Sequence, residues 1–108
     1  MMDILFADKG LEHLCSNQKE QTKRLGKIGA KKLRGRLADL VAAKTVTELV
    51  AGRPHPLAGD RGGQFALDLD KGRRLVFEPS DPPTAADGSI TWNQVSSIRI
   101  VFIGDYHD

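Results

Sequence analysis

Apolar and polar positions along the chain follow two different rhythms, and the change falls at Gly52. Before it the helical period dominates. Residues 3 to 7, DILFA, are short, apolar and β-compatible, and Asp8 follows as a cap for a helix running through Leu11, Leu14 and Cys15. Asn17 opens a longer helical segment to about Ala43, with Ala30, Leu33, Leu37, Leu40, Val41 and Lys44 at three- and four-residue steps. Gly26 and Gly29 each cost about 1 kcal/mol relative to alanine inside a helix, so the early half is expected to kink or to begin late. A further turn, TVTELV, starts at Thr45 or Thr47 and is expected to pack Val46, Leu49 and Val50 inward.

After Gly52 the rhythm is that of strands. AGRPHPLAGDRGG holds two prolines and four glycines and reads as an irregular connection. QFALDL then alternates, with Phe65, Leu67 and Leu69 on one face; a tight DKG turn follows, and RRLVFEP returns with Leu75 and Phe77 inward. SDPPTAADGS has no periodicity and reads as a loop within the domain. Trp92 and Val95 precede SIRIVFI, which is apolar on both faces and is therefore expected inside the sheet. An N-terminal strand and two to three helices followed by a run of strands predict an α+β fold, with the helices on one face of a small, mostly antiparallel sheet.

A chain of 108 residues suits one domain, 1–108, and no apolar stretch approaches the roughly 20 residues of a membrane span. The start, MMDILFADKG, carries an acid and no basic leader region, so the expected compartment is cytoplasmic. Cys15 lies in an apolar pattern and reads as a small core residue. The net charge of +2 is unevenly placed, because residues 19 to 36 carry Lys19, Lys23, Arg24, Lys27, Lys31, Lys32, Arg34 and Arg36 against Glu20 alone. Such a stripe is either the solvated side of a helix or a face for a polyanion.

The side chains able to do chemistry sit in the irregular connection and at the ends of the strands: His55, Arg61, Arg73, Arg74, Asp105, Tyr106 and His107. Histidine, carboxylate, tyrosine and arginine on one surface can deprotonate a hydroxyl, protonate a leaving group and neutralise a phosphate.

From DKGLEHL at residues 8 to 14, through KKLRGRLADLVAAKTVTELV, HPLAGDRGGQFALDL and RRLVFEP, to VSSIRIVFIGDYHD, the chain resembles the bacterial RelE/ParE toxin superfamily, most closely its HigB-like, plasmid-maintenance-killer branch. The two most specific blocks are G-D-R-x-G-Q at 59 to 64 and D-Y-H at 105 to 107. The resemblance implies a RelE-like fold and the toxin of a type II toxin-antitoxin system, a ribosome-dependent mRNA endonuclease with no metal or other cofactor. In that chemistry a ribose 2′-hydroxyl attacks the adjacent phosphate, so the substrate must be RNA.

By the same resemblance His107 matches the histidine of the terminal motif and is the first choice for proton transfer. Asp105 and Tyr106 belong to the same motif: the carboxylate orients a histidine or shares the proton work, and the tyrosine stacks on a base or bonds the phosphate. His55 is a second proton carrier, and Arg74 binds the scissile phosphate with its planar fork. Relatives often carry a lysine where this chain has Gly62, so any phosphate contact made there falls to Arg61, Arg73 or Lys71.

Several of these residues also suit purely structural roles. Asp60 and Arg61 pair to shape the loop and Gln64 satisfies backbone groups. Arg73 is a solvated hairpin residue or an RNA-backbone contact. Arg99 either emerges on the RNA face or pairs with an acid, and Trp92 is a packing anchor. The implied partners are the ribosome, mRNA and a HigA-like helix-turn-helix antitoxin, with operator DNA reached only through that antitoxin and no membrane involved. The rival functions are a ParE-like inhibitor of DNA gyrase that cuts nothing, and a weakly active, antitoxin-bound relative.

Overall fold

The computed structural model describes residues 1–81 and 86–105. Strand β1, Asp3–Phe6, leads into helix α1, Lys9–Ser16, and then helix α2, Gln18–Ala42. After a short 3-10 turn at Val46–Glu48 come β2 (His55–Pro56), a second such turn at Gly59–Arg61, the hairpin β3 (Phe65–Asp68) and β4 (Arg74–Pro79), a third turn at Trp92–Gln94, and β5 (Ser97–Gly104). The sheet order is β1-β5-β4-β3-β2, with β1 parallel to β5 and every other pair antiparallel. β5 is an interior strand, as its two-sided apolar character predicts.

Local chemistry explains the helical boundaries. The Asp8 carboxylate accepts from Leu11 N at 2.8 Å and the Asn17 side chain from Glu20 N at 2.8 Å, each satisfying a backbone donor in the first turn of its helix. Gly26 breaks α2 with φ 76°, a conformation that any side chain would disfavour. The break strips carbonyls at the end of the first half of their helical partners. One of them is recaptured by the hairpin: Arg73 Nη2 donates to Leu25 O at 2.8 Å and to Asp70 Oδ1 at 2.7 Å. Gly29 makes room for this latch, since a Cβ there would lie 2.6 Å from Arg73 Nη2 and 2.9 Å from Asp70 Oδ1. Buried Gln21 ties the two halves to α1, donating to Cys15 O at 3.2 Å and accepting from Arg34 Nη1 at 3.3 Å.

The core lies between the helices and one face of the sheet. Leu14, Leu25, Leu33 and Leu40 meet Phe65, Leu67, Leu75, Phe77, Ile98, Ile100 and Ile103. Cys15 packs at its edge, and Trp92 lies on Phe65 with ring centroids 4.9 Å apart, so both are packing residues. Burial pushes the Cys15 thiol up to about 11. Val46 is buried and Leu49 partly so, but Val50 is 85% exposed and is not packed inward: the 3-10 turn ends at Glu48, and the chain leaves the core before reaching it.

Candidate functional site

Side chains alternate across a strand, so the core face of β3 to β5 leaves a second set pointing the other way. Cross-strand register puts them in rows. One row runs His55, Ala66, Val76, Phe102, the next Asp68, Arg74, Gly104, and a third Glu78, Arg99, Leu5. Four strands at the usual spacing make the first row about 14 Å long. Ala66 and Val76 are fully buried at its centre, and the polar residues stand around them.

Phe102 belongs to this face only because β5 bulges. Val76 pairs with Phe102 but Phe77 pairs with Ile100, leaving Val101 as an extra residue. Without the bulge, the alternation that sends Ile98 and Ile100 into the core would send Phe102 there too. With it, Ile103 enters the core and Phe102 turns outward, beneath the Arg61 guanidinium at 4.9 Å from the ring centroid. The ring also lies over Gly104, whose φ of 155° and absent side chain both matter: a Cβ would come 3.2 Å from Phe102 Cζ.

The connection from β2 to β3 carries Arg61 to that position. Its backbone closes on itself through Leu57 N to Gln64 O at 2.9 Å and Gln64 N to Arg61 O at 3.1 Å, while Arg61 Nη1 donates to Gln64 Oε1 at 3.4 Å. Gly62 has an ordinary backbone (φ −54°), and a Cβ there would sit 3.2 Å from Gly59 O, so a side chain requires only a small shift.

His55 sits on the edge strand with Nδ1 2.7 Å from Arg53 O. A carbonyl can only accept, so Nδ1 carries the hydrogen, and the neutral ring keeps its proton-accepting lone pair on Nε2. Asp68 organises the second row. Its Oδ1 accepts from Arg74 Nε at 3.2 Å, its Oδ2 from Arg53 Nε at 2.9 Å, and its backbone oxygen from Arg36 Nε at 3.2 Å. Asp105 follows β5 and lies against the hairpin tip, its Oδ1 3.7 Å from where a Cβ on Gly72 would be.

The predicted set is therefore partly assembled. His55, Arg61, Arg74 and Arg99 share the sheet face, with Asp105 and Lys71 at the end marked by the hairpin turn. Arg99 both emerges on that face and pairs with an acid, donating from Nη1 to Glu78 Oε2 at 3.2 Å. Arg73 does not join the set and neither solvated-hairpin nor RNA-contact readings fit it: its side chain is 18% exposed and is held by Leu25 and Asp70 on the helical side. Tyr106 and His107 lie outside the described residues. Sequence reasoning missed Asp68, Arg53 and Phe102. An aspartate at the end of an alternating strand directly before a D-K-G turn was a signal for the first; the bulge left none for the third. Among the described residues, no group of three or more histidine, cysteine, aspartate or glutamate side chains is placed to hold a metal ion, and no helix is long and apolar enough to cross a membrane.

No protein-family model matches the chain, and no curated protein does. Solved structures match it over nearly its whole length. A YoeB/ParE toxin from Agrobacterium tumefaciens superposes with a TM-score of 0.59 at 12% identity, covering 98% of this chain and 100% of that one. A chain of a YoeB-YefM complex from Staphylococcus aureus gives 0.58 at 18% identity, covering 100% and 99%, and a YoeB dimer from the same organism gives 0.56 at 19%, covering 99% and 98%. At these identities the likeness is one of fold, and the chain has the α+β architecture of YoeB/ParE-type toxins.

Proposed function

We propose that this protein is the toxin of a type II toxin-antitoxin pair and acts as a ribosome-dependent mRNA endonuclease. The observation that carries the chemistry is His55, whose backbone bond leaves Nε2 as proton acceptor on the same sheet face as Arg61 and Arg74. The fold shared with YoeB/ParE toxins and the resemblance of the G-D-R-x-G-Q and D-Y-H blocks to HigB-like toxins support the reading.

In this mechanism a base removes the proton from a ribose 2′-hydroxyl, the oxygen attacks the neighbouring phosphorus, and the bond to the departing 5′-oxygen breaks as an acid protonates it. The products are a 2′,3′-cyclic phosphate and a 5′-hydroxyl. His55 and His107 are the two proton carriers, with Asp105 two residues before the second in the chain. Arg74 binds the scissile phosphate and Arg61 neutralises the charge that builds there. Phe102 and Tyr106 offer π faces to the bases. Lys71 and Arg99 extend the cationic surface along the strand of RNA. The protein partner is a small helix-turn-helix antitoxin of the HigA type, encoded by a neighbouring reading frame, and the site of action is the cytoplasmic ribosome.

The test is induction of the wild type and of His107→Ala in cells, followed by mapping of mRNA 5′ ends. New, codon-phased ends are expected with the wild type and a loss of them with the variant. Growth arrest with unchanged mRNA ends and altered DNA supercoiling would establish the gyrase-inhibitor reading in its place.

A further inference from the structure

Arg53 occupies a position that suits an arginine poorly. Its φ of 50° lies in the left-handed region, where a side chain crowds the backbone, and Pro54 after it favours an extended conformation instead. Lys71, the other described non-glycine residue with positive φ, owes its conformation to the D-K-G turn, whereas Arg53 precedes β2 and belongs to no hairpin. Tertiary contacts hold the strained segment in place. Asp68 N donates to Gly52 O at 2.6 Å, and Asp68 O accepts from Arg36 Nε, which reaches it from α2 through space that a Cβ on Gly52 would close, 2.5 Å from that nitrogen. The same residue then serves the site twice: Arg53 O fixes His55 Nδ1 at 2.7 Å, and Arg53 Nε donates to Asp68 Oδ2 at 2.9 Å.

Neutralising Asp68 does not account for this arginine. Arg74 Nε already donates to Asp68 Oδ1 at 3.2 Å, so one half-buried carboxylate stands between two guanidinium groups, with Arg36 as a third on its backbone oxygen. The cluster keeps an excess of positive charge. Arg53 is also the accessible member: its side chain is 69% exposed, and its terminal nitrogens make no bond among the described residues. We infer that Arg53 binds a backbone phosphate of a single RNA strand, next to the phosphate held by Arg74, and that Asp68 is the positioning residue that fixes the spacing of the two guanidinium groups. A ligand with anions at regular intervals suits two arginines braced apart on one face, and the segment that carries Arg53 also sets His55 beside them. That the strand is held for cutting rests on the function proposed above; the excess charge around Asp68 does not.

The probe is a fluorescein-labelled single-stranded RNA of about a dozen nucleotides, its riboses 2′-O-methylated so that no attacking hydroxyl remains, titrated with the intact protein over a range of salt. Arg53→Asn removes the guanidinium and keeps a residue that tolerates the left-handed backbone, so Tm should hold. The variant is expected to bind about tenfold more weakly, and its plot of log affinity against log salt should be shallower by about 0.7, the loss of one phosphate contact on a single strand. A series of probes, each with one phosphate replaced by an uncharged methylphosphonate, locates the contact: one position should weaken the wild type about tenfold and leave Arg53→Asn unaffected. The pH profile of mRNA cutting on programmed ribosomes should keep its midpoints in Arg53→Asn, because the carbonyl that orients His55 is retained. A wild type that binds no RNA overturns the inference, as do an unchanged affinity and slope in Arg53→Asn, a series in which no single position loses its effect, or a shifted pH profile, which would make Arg53 act through His55 instead. A wild type that shows the single-phosphate coupling but yields no new mRNA ends breaks the endonuclease reading and leaves the contact standing.

Discussion

The two faces of the same three strands obey different rules. On β4, Leu75 and Phe77 point into the core, where both are fully buried, while Arg74 and Glu78 point away and pair across the sheet with Asp68 and Arg99. The core face is defined by volume: any apolar set that fills it would serve. The outer face is defined by direction. Asp68 aims Arg74 and Arg53, a carbonyl sets the tautomer of His55, and Arg61 rests on Phe102. Substitutions should therefore separate stability from activity cleanly according to the face they touch.

The sharpest break of that comparison is on the core side. Phe77→Ala removes a fully buried ring stacked 5.5 Å from Phe65, and should cost about 3–5 kcal/mol, a large part of the stability of a domain this size, measured by urea unfolding. On the outer face, His55→Ala should leave the unfolding free energy within about 0.5 kcal/mol of wild type, as is usual for surface changes. Under the proposed function it should also reduce mRNA cutting about a hundredfold, the lower range for loss of a general base. If His55→Ala unfolds the protein instead, the division between the faces fails there.

Gly29→Ala tests the helical latch. Its Cβ would press on Arg73 and Asp70, so a loss of about 1–3 kcal/mol is expected, typical of overpacking, and Arg73→Met should relieve the clash when the two changes are combined. Additive losses in the double variant would show that the latch is not the cause. The smallest effect belongs to Cys15. Burial raises its thiol from the ordinary 9.0 to about 11, so the neutral thiol is the form that the fold favours. The stabilisation is complete below pH 9 and is lost as pH rises through about 11, a decline that Cys15→Ala should lessen in Tm against pH. Alkylation of the native protein at pH 8 should correspondingly be slow.

Much of the fold was legible in the chain because it rests on periodicity and local caps. The spacing of Leu33, Leu37 and Leu40, the caps Asp8 and Asn17, and the expected kink near Gly26 correspond to α1 and α2 as they stand. D-K-G correctly marked a tight hairpin: Lys71 and Gly72 both take positive φ and Arg73 N bonds Asp70 O at 2.9 Å, the geometry that matches strand twist. His55, Arg61 and Arg74 could be named from residue type and motif, and strands β2 and β4 with the turn between β2 and β3 place them on one face.

What the sequence by itself determined, then, was which segments are helical or extended and which residue types were available for chemistry, because hydrophobic period, capping and turn preference act over a few residues. Only the tertiary structure decided where those side chains point. Arg73 and Arg74 are neighbours in the chain, yet one is locked to a helix carbonyl and the other lies on the sheet face, because pairing in β4 sends successive side chains to opposite sides. The extra residue Val101 has the same kind of consequence: a single bulge reverses the phase of β5, so that Ile103 fills the core and Phe102 joins the outer face. Register depends on a partner strand some 25 residues away, and no local pattern in SIRIVFI encodes it.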